Sequence, residues 1–139
     1  RVPVQKLKHR ALTNTLEVGS VKVLLMKPVT YMNLSGEAVG EAARFYKIPA
    51  DHVVVISDDV SLPIGKLRIR KGGSTDQFPR VKVGVGEKPH PDYDMADWVL
   101  SKFTGEDLKT ITAATEKAGK AVECLIAEGP DKAMNKFNG

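Results

Sequence analysis

The rhythm of hydrophobic and polar positions changes several times along the chain. Val21-Lys22-Val23-Leu24-Leu25-Met26 is a β-branched-rich run closed by Pro28, and it predicts a strand. Val39, Ala42, Ala43 and Tyr46 then recur at three- and four-residue steps, predicting a helix over about 34–47. Asn33 or Ser35 is the expected N-cap, Glu37 and Glu41 lie near the favourable end of the dipole, and Pro49 is the expected stop. Val53-Val54-Val55-Ile56 reads as a fully buried parallel strand. Strand, helix and strand in that order (21–26, 34–47, 53–56) predict an α/β unit with a right-handed crossover. Two alternating strands follow, Lys66–Lys71 and Val81–Gly86, with Gly72-Gly73-Ser74 between them and a loop expected over 87–94. Leu108, Ile111, Thr115, Ala118, Val122 and Leu125 then mark a long helix that Gly129-Pro130 should stop. Residues 1–20 are polar and basic and show no complete stripe.

Composition narrows the class. A length of 139 residues suits one domain, 1–139, and 42% hydrophobic with 27% charged residues excludes disorder as the default. The single cysteine, Cys124, excludes a disulfide framework and a multi-thiolate zinc site, and reads as a small core residue. The sequence contains no apolar run of membrane-spanning length, and Arg1–Arg10 is basic without an apolar segment behind it. The expectation is a cytoplasmic protein with no membrane association. A net charge of +4 and a pI of about 9.2 point weakly to an anionic partner.

The distribution of charge says more. The pleat puts Lys66, Arg68 and Arg70 on one face of their strand, with Leu67 and Ile69 on the other. Lys82 faces away from Val81, Val83 and Val85, and shares its face only with Gly84 and Gly86, a bare strip of backbone. Between Ile64 and Lys88 seven basic residues stand against two acids. Such clustering suits phosphate binding, or equally the solvated outer face of a half-buried sheet; charge alone leaves both open. Asp58-Asp59 ends the apolar strand, where α/β folds place catalytic groups; an aspartate there can orient a histidine, ligate a cation or cap a turn. Asn33 can be a cap or a group that holds a carbonyl or a water, and Tyr31 and Met32 can be core or pocket wall. His9, His52 and His90 have no motif around them and read as surface residues.

Three segments then carry a resemblance: Lys27-Pro28-Val29-Thr30-Tyr31-Met32-Asn33-Leu34-Ser35-Gly36, Asp58-Asp59-Val60-Ser61-Leu62-Pro63-Ile64-Gly65-Lys66-Leu67-Arg68, and Phe78-Pro79-Arg80-Val81-Lys82-Val83-Gly84-Val85-Gly86. In this order they closely resemble bacterial peptidyl-tRNA hydrolase. The resemblance implies a single three-layer α/β globule with a twisted mixed sheet flanked by helices. It also implies hydrolysis of the ester between peptide and tRNA in peptidyl-tRNA, with no metal or other cofactor, by a monomer without an obligatory protein partner. Position by position, Asn33 matches an active-site asparagine, Tyr31 an aromatic that contacts the tRNA end, and Met32 a pocket wall. Asp58 matches the aspartate that pairs with the catalytic histidine, and Arg70 and Lys82 match two cations that clamp a tRNA phosphate. Arg68, on the same face, has no match.

Two departures accompany it. The family opens with a strand, a Gly-Asn-Pro-Gly type turn and a catalytic histidine in an Arg-His-Asn context, all upstream of Arg1. After Gly72-Gly73 the family also has a Gly-rich His-Asn-Gly loop, whereas Ser74 here runs into Thr75-Asp76-Gln77-Phe78. The expectation is that the sequence omits residues which the protein carries, because its apolar strands have not changed to suit a smaller sheet. The alternative is a non-catalytic RNA-binding relative. A metal-dependent phosphoesterase built on Asp58 and Asp59 is disfavoured, because no further carboxylate or histidine cluster accompanies them.

Overall fold

A computed structural model describes residues 3–29, 34–72, 78–86 and 105–138. The chain is α/β and divides into two compact units, Arg1–Val53 and Val54–Gly139.

The first unit is an antiparallel meander with one helix. Strands β1 (Lys6–Lys8), β2 (Ala11–Val18) and β3 (Val21–Pro28) pair in sequence order. β2 and β3 join through Gly19-Ser20, and Gly19 has φ 60°, the left-handed value a two-residue hairpin turn needs. His9 and Arg10 make the other turn, both at φ 55°. The buried face of β2 consists of Ala11 and Thr13, and the Thr13 hydroxyl donates to the Lys6 carbonyl at 2.9 Å. Helix α1 (Ser35–Tyr46) packs on β3 and buries Ala38 and Ala42. Ser35 is its first helical residue and Leu34 its cap position, with no side-chain capping bond, so the expected Ser35 cap is not formed; Asn33 lies outside the described residues. The stop is Lys47 in the left-handed conformation (φ 55°), with the Ile48 N–H donating to the Ala43 carbonyl at 2.8 Å. Pro49 follows the stop and does not make it.

The second unit is a mixed sheet of order β4–β6–β5 with helices on one face. β4 (Val55–Asp59) runs parallel to β6 (Arg80–Gly84), and β5 (Leu67–Arg70) runs antiparallel to β6. Among the described residues β3 and β4 are assigned to different sheets, and no crossover unit of 21–26 with 53–56 is described. Among the described residues β4 lies at the edge of this sheet with Ile56 54% exposed, whereas its apolar run suggested a fully buried strand. Leu67, Ile69 and Val81 face α2 (Gly105–Glu128) and α3 (Pro130–Phe137), which contribute Ala114, Ala118, Ala121, Cys124, Leu125 and Ala133 to one core. Cys124 is buried there as expected; burial first, then the Glu128 carboxylate, pushes its thiol pKa up. Gly129-Pro130 ends α2, and the proline opens α3 at a first-turn position where a missing N–H is harmless. Among the described residues no helix is long and apolar enough to cross a membrane.

Candidate nucleic-acid interface and catalytic carboxylate

The sheet of the second unit has one apolar and one polar face, and register decides which side chain joins which. Val81 and Val83 point with Leu67 and Ile69 toward the helices. Arg80 and Lys82 share the opposite face with Arg68 and Arg70, because Arg68 pairs with Lys82 and Arg70 with Arg80. Across β4, Val55, Ser57 and Asp59 belong to this same polar face, opposite Arg80, Lys82 and Gly84. The basic cluster expected from the pleat is thus a real juxtaposition, and it holds both Arg70 and Lys82.

Asp58 and Asp59 separate cleanly. Adjacent strand residues point to opposite faces, so their carboxylates do not converge and cannot hold one cation between them. Asp59, on the polar face, accepts from the Ser61 hydroxyl at 2.5 Å and the Ser61 N–H at 2.8 Å, and its other oxygen lies 3.6 Å from the Lys82 ammonium. The Ser61 hydroxyl, then its N–H, lowers the Asp59 pKa; Lys82 adds to this and burial opposes it. Asp58 is exposed at the end of β4, in register with Val83, on the face away from Arg70 and Lys82. The register sets Arg70 and Lys82 on one face as diagonal neighbours and the candidate catalytic carboxylate Asp58 on the other.

Gly84 has a different task from the one its position suggested. A Cβ there would lie 2.1 Å from the Pro63 carbonyl and 2.9 Å from Leu62 Cβ, so the chain's own loop occupies the strip that looked bare. That loop walls the polar face at its Asp59 end.

His9 corrects the expectation of a surface residue. Its side chain is 8% exposed, its ring lies 4.9 Å from Phe45 and 5.4 Å from Tyr46, and Nδ1 is 3.4 Å from a Glu41 oxygen. Lys8 Nζ sits over both aromatic rings, at 5.1 and 5.5 Å. The left-handed turn His9-Arg10 folds the imidazole inward, which no motif announced. His52 closes a 3-10 turn, Ala50–His52, also in the first unit. Tyr31, Met32, Asn33, His90 and the loop expected over 87–94 lie outside the described residues. Arg68 is the residue that matching by motif passed over: β5–β6 pairing sets it directly against Lys82, and its Nε is buried with no hydrogen-bond partner among the described residues.

An α/β fold with a cationic sheet face and a carboxylate at a strand end is that of a hydrolase or a binding domain for a phosphate-rich partner. Comparison with known proteins decides the family. The peptidyl-tRNA hydrolase family model matches residues 1–139, and the chain belongs to that family. It is 42% identical to the peptidyl-tRNA hydrolase of Lachnospira eligens, covering 99% of this chain and 82% of that one. It is 46% identical to that of Clostridium acetobutylicum over 88% and 72% of the two chains. The crystal structure of peptidyl-tRNA hydrolase from Acinetobacter baumannii has the same fold, with a TM-score of 0.84 at 23% identity over 94% of this chain and 74% of that one.

Proposed function

We propose that this chain hydrolyses the ester joining peptide to tRNA in peptidyl-tRNA, holding the tRNA backbone on the polar face of its second sheet. The observation that carries the reading is the juxtaposition of Arg70 and Lys82 on that face, in a chain at least 40% identical to proteins named for this reaction. Charge-assisted bonds from such a pair to phosphate position the substrate without reading its sequence.

The chemistry is water attack on the ester carbonyl. A base takes the water proton as the C–O bond forms, and the tetrahedral centre then expels the ribose hydroxyl, which is reprotonated. The family resemblance supplies the base, the histidine of its Arg-His-Asn segment. Asp58 accepts from that imidazole, fixing its tautomer and stabilising the imidazolium. Asn33 positions the carbonyl or the water, Tyr31 contacts the tRNA end and Met32 lines the pocket. No step requires a metal, so chelation should leave the rate unchanged. The protein acts as a monomer in the cytoplasm, where its substrate is made. The alignment with the Lachnospira eligens enzyme spans 153 positions against 139 residues here, leaving at least 14 positions of that relative without a counterpart.

The test is Asp58→Asn in the full-length protein. Single-turnover cleavage of saturating peptidyl-tRNA should fall by about two to four orders of magnitude, with tRNA affinity unchanged. Equal rates would overturn the assignment of Asp58.

A further inference from the structure

Among the described residues β5 ends the sheet, and on its outer side one side chain stands where a further strand would lie. Asn138 takes both backbone groups of Ile69: Oδ1 accepts from the Ile69 N–H at 2.5 Å, and Nδ2 donates to the Ile69 carbonyl at 3.0 Å. Ile69 faces Val81 in an antiparallel pair. Along such a pair, residues that exchange bonds across the ladder alternate with residues whose N–H and carbonyl turn outward. The clasp marks Ile69 as an outward residue, so Arg68 and Arg70, on either side of it, are the ones bonded to β6. The Ile69 side chain is fully buried in the core, and the two arginines belong to the opposite, polar face.

Asn138 is itself held in place. It follows α3 directly, its N–H donates to the Met134 carbonyl at 3.0 Å, and Met134 and Phe137 pack against the core. Its amide is therefore a peg fixed to the same core as the strand it clasps. A second tie joins α3 to β5, the Lys71–Asp131 ion pair at 3.0 Å, but its side chains are 54% and 78% exposed and such pairs contribute little. Arg70 is exposed and is the last residue of a four-residue strand. Of the two ties, the clasp is the one that restrains the backbone beside it.

We propose that Asn138 is a positioning residue for the substrate: by clasping Ile69 it fixes the strand edge that carries Arg70, so that this guanidinium stands ready beside Lys82 before tRNA arrives. The proposal rests on the tRNA reading above. Asn138 acts through Ile69 and Arg70, not by touching substrate. A side chain that must be ordered on binding loses affinity that a pre-ordered one keeps. Direction matters as much as charge for an arginine, whose planar fork must meet the phosphate oxygens squarely. An asparagine suits the task because its amide offers one donor and one acceptor side by side, as a neighbouring strand would.

The experiment is a double-mutant cycle between Asn138→Ala and Arg70→Ala in the full-length protein. It is read by equilibrium binding to deacylated tRNA at physiological salt, well below the melting midpoint of every variant. Asn138→Ala should weaken binding about threefold to tenfold, the effect of having to order one long side chain. Cleavage at saturating peptidyl-tRNA should stay within about twofold, so that the loss falls on KM and not on kcat. In the Arg70→Ala background the same change should weaken binding by less than about twofold, because the cation it positions is already gone. A loss that only reflected a looser fold would be equally large in both backgrounds, and that result would overturn the proposal. Asn138→Asp serves if the alanine variant melts early. It keeps the acceptor for the Ile69 N–H, and its loss of about twofold to threefold should likewise vanish without Arg70, whereas a persistent loss would count against the role. Weak binding by Arg70→Ala beside unaltered binding by Asn138→Ala overturns the positioning role alone. Unaltered binding by Arg70→Ala means that the tRNA face fails, and the role of Asn138 with it.

Discussion

Gly84, Asn138 and Asp59 each fix a piece of the second unit by one local interaction. At Gly84 an added methyl would meet the Pro63 backbone, which cannot swing aside as a side-chain tip can. Gly84→Ala should cost about 1–3 kcal/mol of stability, read from the urea midpoint. Asn138 does for β5 what a neighbouring strand would do: its Oδ1 accepts from the Ile69 N–H at 2.5 Å and its Nδ2 donates to the Ile69 carbonyl at 3.0 Å. Asn138→Ala strands both half-buried groups and should cost about 1–3 kcal/mol, whereas Asn138→Asp keeps the acceptor and should cost less. Asp59 has its pKa lowered by Ser61, so the folded state favours the carboxylate. That contribution is complete above the ordinary value of 3.8 and is lost as pH falls through the depressed value. Ser61→Ala should lower stability at pH 7, where the contribution is complete, change it little near pH 2, and so shrink the acid-induced loss below about pH 4. Motif reading found Asp58-Asp59 as a pair, and period two alone separates their faces. It could not find His9, because an inward turn depends on two left-handed residues that are not glycine.

At the scale of elements, the apolar strands and the long helix were legible because their side chains are large and periodic. β2 was not: the residues it buries, Ala11 and Thr13, are small or polar, so the alternation carries almost no hydrophobic signal. The end of α1 was placed within one residue, but the device that makes it, a left-handed lysine in place of the usual glycine, escaped. The existence of α2 was predicted correctly and its stripe in part: Ala118 and Leu125 are buried and Val122 packs on the core, but Thr115 is exposed. Leu108 is 50% exposed, whereas Ala114, Ala118 and Ala121 face the sheet. Counting large residues misplaces such a stripe, because a helix lying close on a sheet buries alanine there and has no room for leucine. Ala121→Leu should therefore destabilise by about 1–3 kcal/mol through overpacking, while Leu108→Ala should stay within about 0.5 kcal/mol. Equal losses in thermal melts would restore the stripe read from the sequence. Topology was the least legible feature: strand–helix–strand order does not say that the two strands enter different sheets.

For the molecule as a whole, net charge and working charge are different quantities. The residues of the second unit, 54–139, carry 13 basic and 13 acidic side chains and sum to zero, yet one face of their sheet gathers Arg68, Arg70, Arg80 and Lys82 against Asp59. Asn33 and Asp58 were singled out by position and given roles only by family likeness, whereas the cationic face was found by pleat arithmetic, because alternation puts charges together wherever strands pair. Lys109 and Lys120 are exposed on α2, which packs against the apolar face of that sheet. A helix about 10 Å in diameter thus stands between them and the polar face, more than the Debye length of about 8 Å at physiological salt. Changing both to glutamate takes the net charge of the chain from +4 to zero, whereas Arg70→Ala lowers it by one. If a local field steers tRNA, the double change should slow association by less than about threefold at physiological salt, and Arg70→Ala should slow it more and flatten its dependence on ionic strength. Stopped-flow association rates at several salt concentrations separate the cases, and a larger effect from the distant pair would mean that overall charge, and not this face, draws the RNA in.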